Sequence, residues 1–453
     1  MYIGRQASCE ACRLFLKNIH FSSMTDFKLI YPSTFQATIV LPTSKSISAR
    51  AMILSSLAGG CKLQGLSDSD DTRALQMALE NAETLVDIGA AGTAMRFATA
   101  FFAVQEAVTR VLTGSRRMKE RPIGILVEAL RTLGADIEYL EKEGFPPLQI
   151  RGSRLKGGVL EIPAHVSSQY ISALLMIAPT LQQGLCLRLQ GEIASRPYID
   201  MTLSLMQQFG VRVNWNGEAE INIAPQNYVS PGVVHIEADW SAASYWYEMV
   251  ALSGDTATQV RLKGLSTCSQ QGDSKVAELF NELGVLTSFG QDGATLRKVP
   301  VAAQSEVWEV DFADCPDLAQ TLVVTCVMLQ KAFRFRGLHS LRIKETDRIA
   351  ALQTELLKMG HVLRSYQQER GGKLDEILEY IPEENVARSR SAESISVATY
   401  KDHRMAMAFA PCAQLYPGLC VEDVEVVSKS YPAFWQHLQQ VGVEVTAQND
   451  KTM

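Results

Sequence analysis

The sequence lacks long apolar runs, an excess of basic residues and a recognisable leader. No stretch of eighteen or more apolar residues occurs, so no membrane-spanning helix is expected. The formal net charge of −6 argues against a general nucleic-acid-binding protein. Residues 1–25 show no clean apolar segment followed by a small-residue cleavage site, so no signal peptide is expected. With 47% hydrophobic and 20% charged residues, a cytoplasmic globular protein is expected.

Cysteine usage gives no sign of a disulfide framework, because the nine cysteines are odd in number and scattered. Cys9 and Cys12 have the spacing of a metal or redox motif, but no second Cys/His pair with zinc spacing accompanies them. We therefore predict no metal site. Met24 precedes the first strand-like run, so we interpret residues 1–23 as an upstream extension that is expected to be disordered.

Strand-like runs alternate with amphipathic helical runs, which predicts an α/β (α+β) fold. A chain of 453 residues is also too long for one ordinary core, so two domains are expected. Residues 27–31 and 35–41 are typical of strands, and residues 366–391 of a hairpin or surface loop. The predicted helices are residues 46–57, 70–79, 92–103, 119–133, 167–181, 198–209, 240–252, 272–283, 315–329, 344–359, 403–415 and 433–441. Six fall on each side of a turn-rich patch at residues 228–232, which suggests a duplicated architecture.

Polar and cationic residues recur where predicted strands meet predicted helices. Lys45, Ser46 and Arg50 follow a strand, and free backbone N–H groups at a helix start favour an anion. The glycines of a nucleotide P-loop are missing there, so that interpretation is rejected. A capped helix with surface cations explains this segment alone equally well. The other junctions contain Gly92-Thr93-Ala94-Met95-Arg96, Arg117-Met118-Lys119-Glu120-Arg121-Pro122, Ser167-Ser168-Gln169, Ser195-Arg196-Pro197-Tyr198, Asp314-Cys315-Pro316-Asp317, Asp402-His403-Arg404-Met405 and Lys429-Ser430-Tyr431-Pro432.

Residues 341–349 are the most highly charged of these segments. If the segment is helical, Lys344 and Arg348 lie four residues apart on one face, where like charges repel unless an anion binds. Glu345 supplies a titratable carboxylate beside them. A solvated helix start is the alternative for this segment taken alone.

Six of these segments, in this order, resemble the motifs of 5-enolpyruvylshikimate-3-phosphate synthases, a family of enolpyruvyl transferases. The motifs are Pro42-x-Ser44-Lys45-Ser46-Ile47-Ser48-x-Arg50, Ala91-Gly92-Thr93-Ala94-Met95-Arg96, Arg117-Met118-Lys119-Glu120-Arg121-Pro122, Ser167-Ser168-Gln169, Lys344-Glu345-Thr346-Asp347-Arg348 and Asp402-His403-Arg404-Met405. The resemblance implies two similar domains, each of three βαβαββ units with inner helices and outer sheets. We place the first domain at residues 43–232 and the second at 24–42 plus 233–453, with the active site between them.

The resemblance also implies the reaction, which transfers the enolpyruvyl group of phosphoenolpyruvate to the 5-hydroxyl of shikimate 3-phosphate in aromatic amino-acid biosynthesis. No cofactor is implied, and we expect a cytoplasmic monomer with these small-molecule substrates and no nucleic-acid or membrane partner. Two polyanions bound side by side need cations to offset their repulsion.

The resemblance implies a role for each matching residue. Ser46, Arg50, Ser167, Ser168, Ser195, Tyr198, Ser340 and Lys344 would hold shikimate 3-phosphate, Lys45 and Gln169 would touch both substrates, and Gly92, Arg121, Arg348, Arg404 and Lys429 would hold phosphoenolpyruvate. Asp317 would be the base for the 5-hydroxyl and Glu345 the acid for the methylene carbon. Lys45 and His403 would assist electrostatically or as a proton relay.

Two departures from the family pattern leave alternatives open. Ala90 and Ser340 stand where the family usually has asparagine, and each replacement is expected to weaken binding by about 1 kcal/mol. A catalytically silent paralogue that binds phosphorylated metabolites is one alternative. The enolpyruvyl transferase acting on UDP-N-acetylglucosamine is another, although the cysteine typical of its mobile loop has no counterpart between Cys61 and Cys186.

Overall fold

The computed structural model describes residues 25–164, 167–191, 193, 195–301, 306–370, 373–384 and 395–448. The predicted extension at residues 1–23, Met24 and the Cys9/Cys12 pair lie outside the described residues. Within the described ranges, no helix is long and apolar enough to cross a membrane.

Twenty-two strands alternate with thirteen α-helices in the described residues. The strands are β1 (Asp26–Ile30), β2 (Gln36–Val40), β3 (Lys62–Gln64), β4 (Leu85–Asp87), β5 (Thr109–Thr113), β6 (Asp136–Tyr139), β7 (Leu148–Arg151), β8 (Gly158–Pro163), β9 (Leu185–Gln190), β10 (Asn214–Asn216), β11 (Glu220–Ile223), β12 (Val233–His235), β13 (Gln259–Lys263), β14 (Val285–Gly290), β15 (Gly293–Lys298), β16 (Trp308–Asp311), β17 (Phe333–Arg336), β18 (Arg364–Arg370), β19 (Lys373–Tyr380), β20 (Ser396–Val397), β21 (Cys420–Val421) and β22 (Glu444–Gln448). The helices are α1 (Lys45–Leu57), α2 (Asp70–Glu80), α3 (Gly92–Ala103), α4 (Arg116–Lys119), α5 (Gly124–Thr132), α6 (Ser168–Ile177), α7 (Arg196–Gln208), α8 (Trp240–Leu252), α9 (Val276–Asn281), α10 (Ala319–Met328), α11 (Arg348–Lys358), α12 (His403–Phe409) and α13 (Phe434–Gln440).

The buried apolar side chains form two separate cores. One core takes its residues from Ile47 to Ile236, and the other from 29–41 and 238–443. We name residues 43–236 the first lobe, and residues 25–42 with 237–448 the second lobe. We propose that the lobes are the two domains. Because β12 pairs with β3 of the first lobe, the boundary that we propose follows β12, a few residues beyond the predicted position at 232.

Five of the six sheets have four strands and share one topology. In the sheet β4-β5-β7-β6, the first two strands are parallel and the others antiparallel, which is the βαβαββ unit. The order recurs as β8-β9-β11-β10, β2-β13-β15-β14, β16-β17-β19-β18 and β20-β21-β1-β22. The sixth sheet pairs only β3 and β12 among the described residues. Three sheets lie in each lobe, and the predicted fold class is confirmed.

Helices lie inside and sheets outside, as burial shows. Nearly every residue of α3, α8 and α10 is buried, as expected for helices that are apolar on all sides. Strand β8, by contrast, alternates buried and exposed residues, so one face of its sheet meets solvent.

All twelve predicted helices are present, but two differ in a way that affects the site. Pro122 interrupts the helix predicted at 119–133, so α4 ends at Lys119 and α5 begins at Gly124. The helix predicted at 344–359 begins only at Arg348, because the Asp347 carboxylate caps it by accepting from the Ala350 N–H at 3.1 Å. The idea that Lys344 and Arg348 share one helical face is therefore wrong. Lys344 ends the 3₁₀-helix His339–Ile343 instead.

Candidate active site

A polar cavity of about 180 Å³ lies between the two lobes. The N-terminal ends of α1, α3 and α6 reach it from the first lobe, and those of α11 and α12 from the second. The N-terminal end of a helix carries the positive end of the helix dipole, which favours anions. The predicted site residues that line it are Lys45, Ser46, Arg50, Gly92, Arg121, Ser167, Ser168, Gln169, Ser195, Tyr198, Asp317, Ser340, Lys344, Glu345, Arg348, His403 and Arg404. Lys429 does not line it, and its Nζ lies 3.5 Å from the Glu345 carboxylate.

Lys45 is the first residue of α1, and Ser44 caps that helix by accepting from the Ile47 N–H at 3.4 Å. The Lys45 Nζ lies 3.0 Å from Oδ2 of Asp71, whose other oxygen is 3.4 Å from the Lys429 Nζ. Asp71 was not predicted as a site residue. It joins a cation of each lobe across the cavity edge.

Arg50 lines the cavity yet is only 2% exposed. Its guanidinium donates to Thr202 Oγ1 at 2.7 Å, Ser46 O at 2.9 Å and Ser172 Oγ at 3.0 Å. Burial lowers the pKa of Arg50 to about 10. Because these hydrogen bonds use most of its N–H donors, Arg50 mainly holds α1 against α6 and α7.

Gly92 opens α3 and lies directly under the side chain of Arg121. A Cβ at position 92 would be 2.6 Å from Arg121 Nη1, so the end of the Arg121 side chain would have to move. The buried Nε of Arg121 has no hydrogen-bond partner among the described residues. An orphaned guanidinium donor beside a cavity is suited to an anionic ligand.

Hydroxyl and amide groups complete the first-lobe wall. Ser167 caps α6 by accepting from the Gln169 N–H at 3.3 Å, and the Gln169 amide donates to Thr93 Oγ1 at 3.0 Å. Ser195 adopts a left-handed backbone (φ 57°) and donates through its N–H to the Ala313 carbonyl of the second lobe at 2.9 Å. The lobes are thus in direct contact beside the cavity.

Asp317 is the centre of the second-lobe wall. Its oxygens lie 3.0 Å from Arg404 Nη2, 3.3 Å from Arg348 Nη1 and 3.7 Å from Lys344 Nζ. Burial raises the pKa of Asp317, but Arg404, Lys344 and Arg348 outweigh burial, so the pKa lies well below its usual range. The Tyr198 hydroxyl of the first lobe donates to the same carboxylate at 3.4 Å.

Glu345 lies 3.1 Å from Arg348 Nη2 and 3.5 Å from Lys429 Nζ. Burial raises its pKa, but Arg348, Lys429 and Arg121 outweigh burial and hold the pKa well below the usual range. Arg348 is itself fixed by Asp402, a fully buried carboxylate that accepts from Nε at 2.7 Å. These cations therefore favour the ionised form of both predicted acid–base carboxylates.

His403 is 1% exposed, and neither ring nitrogen has a hydrogen-bond partner among the described residues. Burial, with the nearby charges of Lys45 and Arg404, lowers its pKa well below the usual value. The imidazole is neutral, so it cannot supply a fixed positive charge.

The two departures from the family pattern have different surroundings. Ala90 is exposed, and its carbonyl oxygen accepts from the Lys429 Nζ at 2.8 Å, a contact that any residue at position 90 could make. Ser340 lies in the 3₁₀-helix that precedes Lys344 and lines the cavity.

Sequence reasoning missed the acidic residues that hold the cations, namely Asp71, Asp402 and Asp273. The signal for two of them was a carboxylate at a helix start, in Asp70-Asp71 and in Asp402-His403. Asp273 gave no signal. Asp273 is 3% exposed, and its carboxylate accepts a hydrogen bond from the Ser241 hydroxyl. The oxygen of that hydroxyl accepts in turn from Arg404 Nη2 at 3.3 Å.

A family model described as EPSP synthase (3-phosphoshikimate 1-carboxyvinyltransferase) matches residues 75–438. The chain belongs to the EPSP synthase family. A 3-phosphoshikimate 1-carboxyvinyltransferase of Bacteroides fragilis is 49% identical over 417 residues, which cover 92% of this chain and 98% of the relative. The enzyme of the same name from Shewanella halifaxensis is 38% identical, over 88% and 95% of the two chains.

A solved EPSP synthase from Acinetobacter baumannii has the same fold, with a TM-score of 0.69 over 93% of this chain and all of that chain, at 19% sequence identity. The expected family is confirmed. The relatives are named for the shikimate reaction rather than for the UDP-N-acetylglucosamine reaction, so the second alternative loses its support.

Proposed function

We propose that this EPSP synthase family member transfers the enolpyruvyl group of phosphoenolpyruvate to the 5-hydroxyl of shikimate 3-phosphate, giving 5-enolpyruvylshikimate 3-phosphate and phosphate. The observation that carries the proposal is the cavity itself. It combines a guanidinium donor that has no hydrogen-bond partner among the described residues, Nε of Arg121, with two carboxylates held ionised among cations, Asp317 and Glu345. Anion binding and proton transfer are the two tasks that this reaction sets.

We place the substrates on the two kinds of wall. Hydroxyl and amide donors suit the hydroxyls and phosphate of shikimate 3-phosphate, and Ser46, Ser167, Ser168, Ser195, Tyr198, Ser340, Arg50 and Lys344 are assigned to it. The guanidinium and ammonium groups around Glu345 and Asp317 suit the carboxylate and phosphate of phosphoenolpyruvate. Arg121, Arg348, Arg404 and Lys429 are assigned to that substrate, together with Gly92 through its backbone. Lys45 and Gln169 lie between and are assigned to both.

We assign the base to Asp317. An ionised carboxylate is ready to accept the proton of the 5-hydroxyl as that oxygen attacks C2 of phosphoenolpyruvate. In the second step the C2–O bond to phosphate breaks and a methyl proton leaves, which re-forms the C2=C3 double bond and gives the enol ether product. The second step therefore requires a base near the methyl carbon, and we assign this task to Glu345 after it has given its proton away.

We assign the acid to Glu345, which must first be protonated. Arg348, Lys429 and Arg121 hold its pKa well below the usual range and so favour its ionised form. These are the cations assigned to phosphoenolpyruvate, and a bound trianion offsets their charge. Binding is therefore expected to raise the pKa of Glu345 and to load it with the proton that the methylene carbon receives. Neutral His403 fits a proton relay better than an electrostatic role.

The decisive experiment mixes the purified protein with shikimate 3-phosphate and phosphoenolpyruvate and follows phosphate release. Release that requires both substrates supports the proposal. Binding of both by calorimetry without release would favour the silent paralogue, which Ala90 and Ser340 motivate. Release with UDP-N-acetylglucosamine instead would overturn the shikimate assignment.

We also propose a cytoplasmic monomer. Light scattering on the protein as it elutes from a size-exclusion column tests the oligomeric state. Cell fractionation tests the location.

A further inference from the structure

We propose that Arg117 is a positioning residue of the first lobe that holds the Glu345 loop, residues 344–347, in its working place across the cleft. Its Nε donates to the Glu345 carbonyl at 3.2 Å, and its Nη2 donates to the Lys344 carbonyl at 3.2 Å. The inference rests on the proposed function, because it concerns how Glu345 is placed for proton transfer.

The Glu345 loop needs an external support. It lies between the 3₁₀-helix His339–Ile343 and α11, so regular helical hydrogen bonds do not fix it. Among the described residues, no backbone N–H donates to the carbonyl of Lys344 or of Glu345. The two bonds from Arg117 satisfy both carbonyls with one planar fork, which a guanidinium can do and a single ammonium cannot.

The backbone around Arg117 is held firmly in the first lobe. Ser115 caps the short helix α4 by accepting from the Met118 N–H at 3.3 Å. Met118 is 1% exposed, and its sulfur accepts from buried Arg96 at 3.5 Å. The backbone below Arg117 is thus anchored in the first lobe, while its side chain reaches the second.

The placement of the loop sets the distances that matter for chemistry. The Glu345 carboxylate lies 3.1 Å from Arg348 and 3.5 Å from Lys429. An ångström of misplacement at a reacting group can cost a large factor in rate. Loss of Arg117 is therefore expected to lower kcat more than it changes either KM, since Arg117 does not line the cavity.

The test compares Arg117→Ala and Arg117→Lys with Arg116→Ala. Arg116 is the matched control because it is the neighbouring arginine, is 96% exposed and pairs only with Glu120 among the described residues. Because Arg117 is half-exposed, water can replace part of what its two hydrogen bonds contribute. We therefore expect their loss to lower kcat by only about tenfold. We expect that loss for Arg117→Ala with nearly unchanged KM values, partial rescue for Arg117→Lys, and wild-type rates for Arg116→Ala.

A second measurement does not depend on turnover. Hydrogen exchange of a peptide covering residues 341–349 is expected to speed up in Arg117→Ala and to stay at the wild-type rate in Arg116→Ala. Equal exchange in the two variants would overturn the inference, as would a raised KM with unchanged kcat, which would make Arg117 a substrate ligand. Absence of phosphate release by the wild-type protein would sink the proposed function, while the exchange result still decides the inference.

Discussion

The two walls of the cavity differ in how their charges are paired. In the second lobe, Arg348 contacts three carboxylates within 3.3 Å, those of Asp402, Glu345 and Asp317. In the first lobe, Arg121 forms no ion pair with any described residue, Lys45 has one carboxylate partner among the described residues, Asp71 at 3.0 Å, and hydroxyl and amide groups dominate the rest of the wall.

The difference indicates a division of labour. Arg121, which has no carboxylate partner among the described residues, is free to meet an anionic ligand, and the hydroxyl and amide donors beside it also suit recognition. Cations that are shared among carboxylates keep those carboxylates ionised, so the second-lobe wall is suited to proton transfer. Variants on each side should therefore fail in different ways.

The largest effect is expected when the second-lobe carboxylates lose their charge. Asp317→Asn and Glu345→Gln keep side-chain size, and each should lower kcat by about 10²–10⁴-fold because it removes a general acid or base. Steady-state phosphate release gives kcat, and calorimetry should show substrate binding largely retained. Glu128→Gln, a surface change on α5, is the control. Near-wild-type turnover in either variant would refute its acid–base role.

A second prediction sets one arginine of each wall against the other. Arg348→Met leaves the fully buried carboxylate of Asp402 without its guanidinium, so the free energy of unfolding should fall by about 3–5 kcal/mol. Arg121→Met leaves no buried carboxylate without an ion-pair partner among the described residues, so the free energy of unfolding of this variant should change by less than about 1 kcal/mol. Urea denaturation at pH 7 measures both, and equal losses would show that the two walls are not different in kind.

These contrasts show what the sequence could and could not predict. Helix positions followed from periodicity, and the cavity residues followed from motifs at strand-to-helix junctions taken together with the family resemblance, since periodicity and motifs are both local. The pairing of Arg348 with Asp402 joins positions 54 residues apart, and Arg117 meets the Glu345 loop 228 residues away. Such contacts depend on how two lobes pack, which local patterns do not encode. The start of α11 was also mispredicted, because Asp347 was counted inside the helix rather than as its cap.

A third prediction concerns the first-lobe wall. Gly92→Ala places a Cβ 2.6 Å from Arg121 Nη1, and the flexible arginine must move aside. We expect the KM for phosphoenolpyruvate to rise about tenfold, the worth of one displaced charged hydrogen bond, with little change in stability. Kinetics at saturating shikimate 3-phosphate measure the rise. An unchanged KM would mean that Arg121 does not hold phosphoenolpyruvate, and Gly254→Ala, at an open position, is the control.

The last prediction concerns Asp273, the buried carboxyl behind the second-lobe wall. Burial first, then the nearby charge of Asp317, raises its pKa from 3.8 to about 7, although Arg404 opposes the shift. Between these values the unfolded chain releases the proton and the folded protein keeps it, so stability falls as pH rises. Asp273→Asn has no such proton, and its stability relative to wild type should grow by up to about 1.4 kcal/mol per pH unit from pH 5 to pH 7.

Urea denaturation at pH 5, 6 and 7 measures this slope, with Asp292→Asn, a surface carboxylate, as the control. Asp317 and Glu345 act in the opposite sense. Their lowered pKa values mean that the stability they contribute is present above the unfolded pKa, near 4, and is lost as pH falls further. The two kinds of carboxyl therefore affect separate pH windows. A flat difference between pH 5 and pH 7 would show that Asp273 is ionised in the fold, and that Arg404 has two charged carboxylates near it, Asp317 and Asp273.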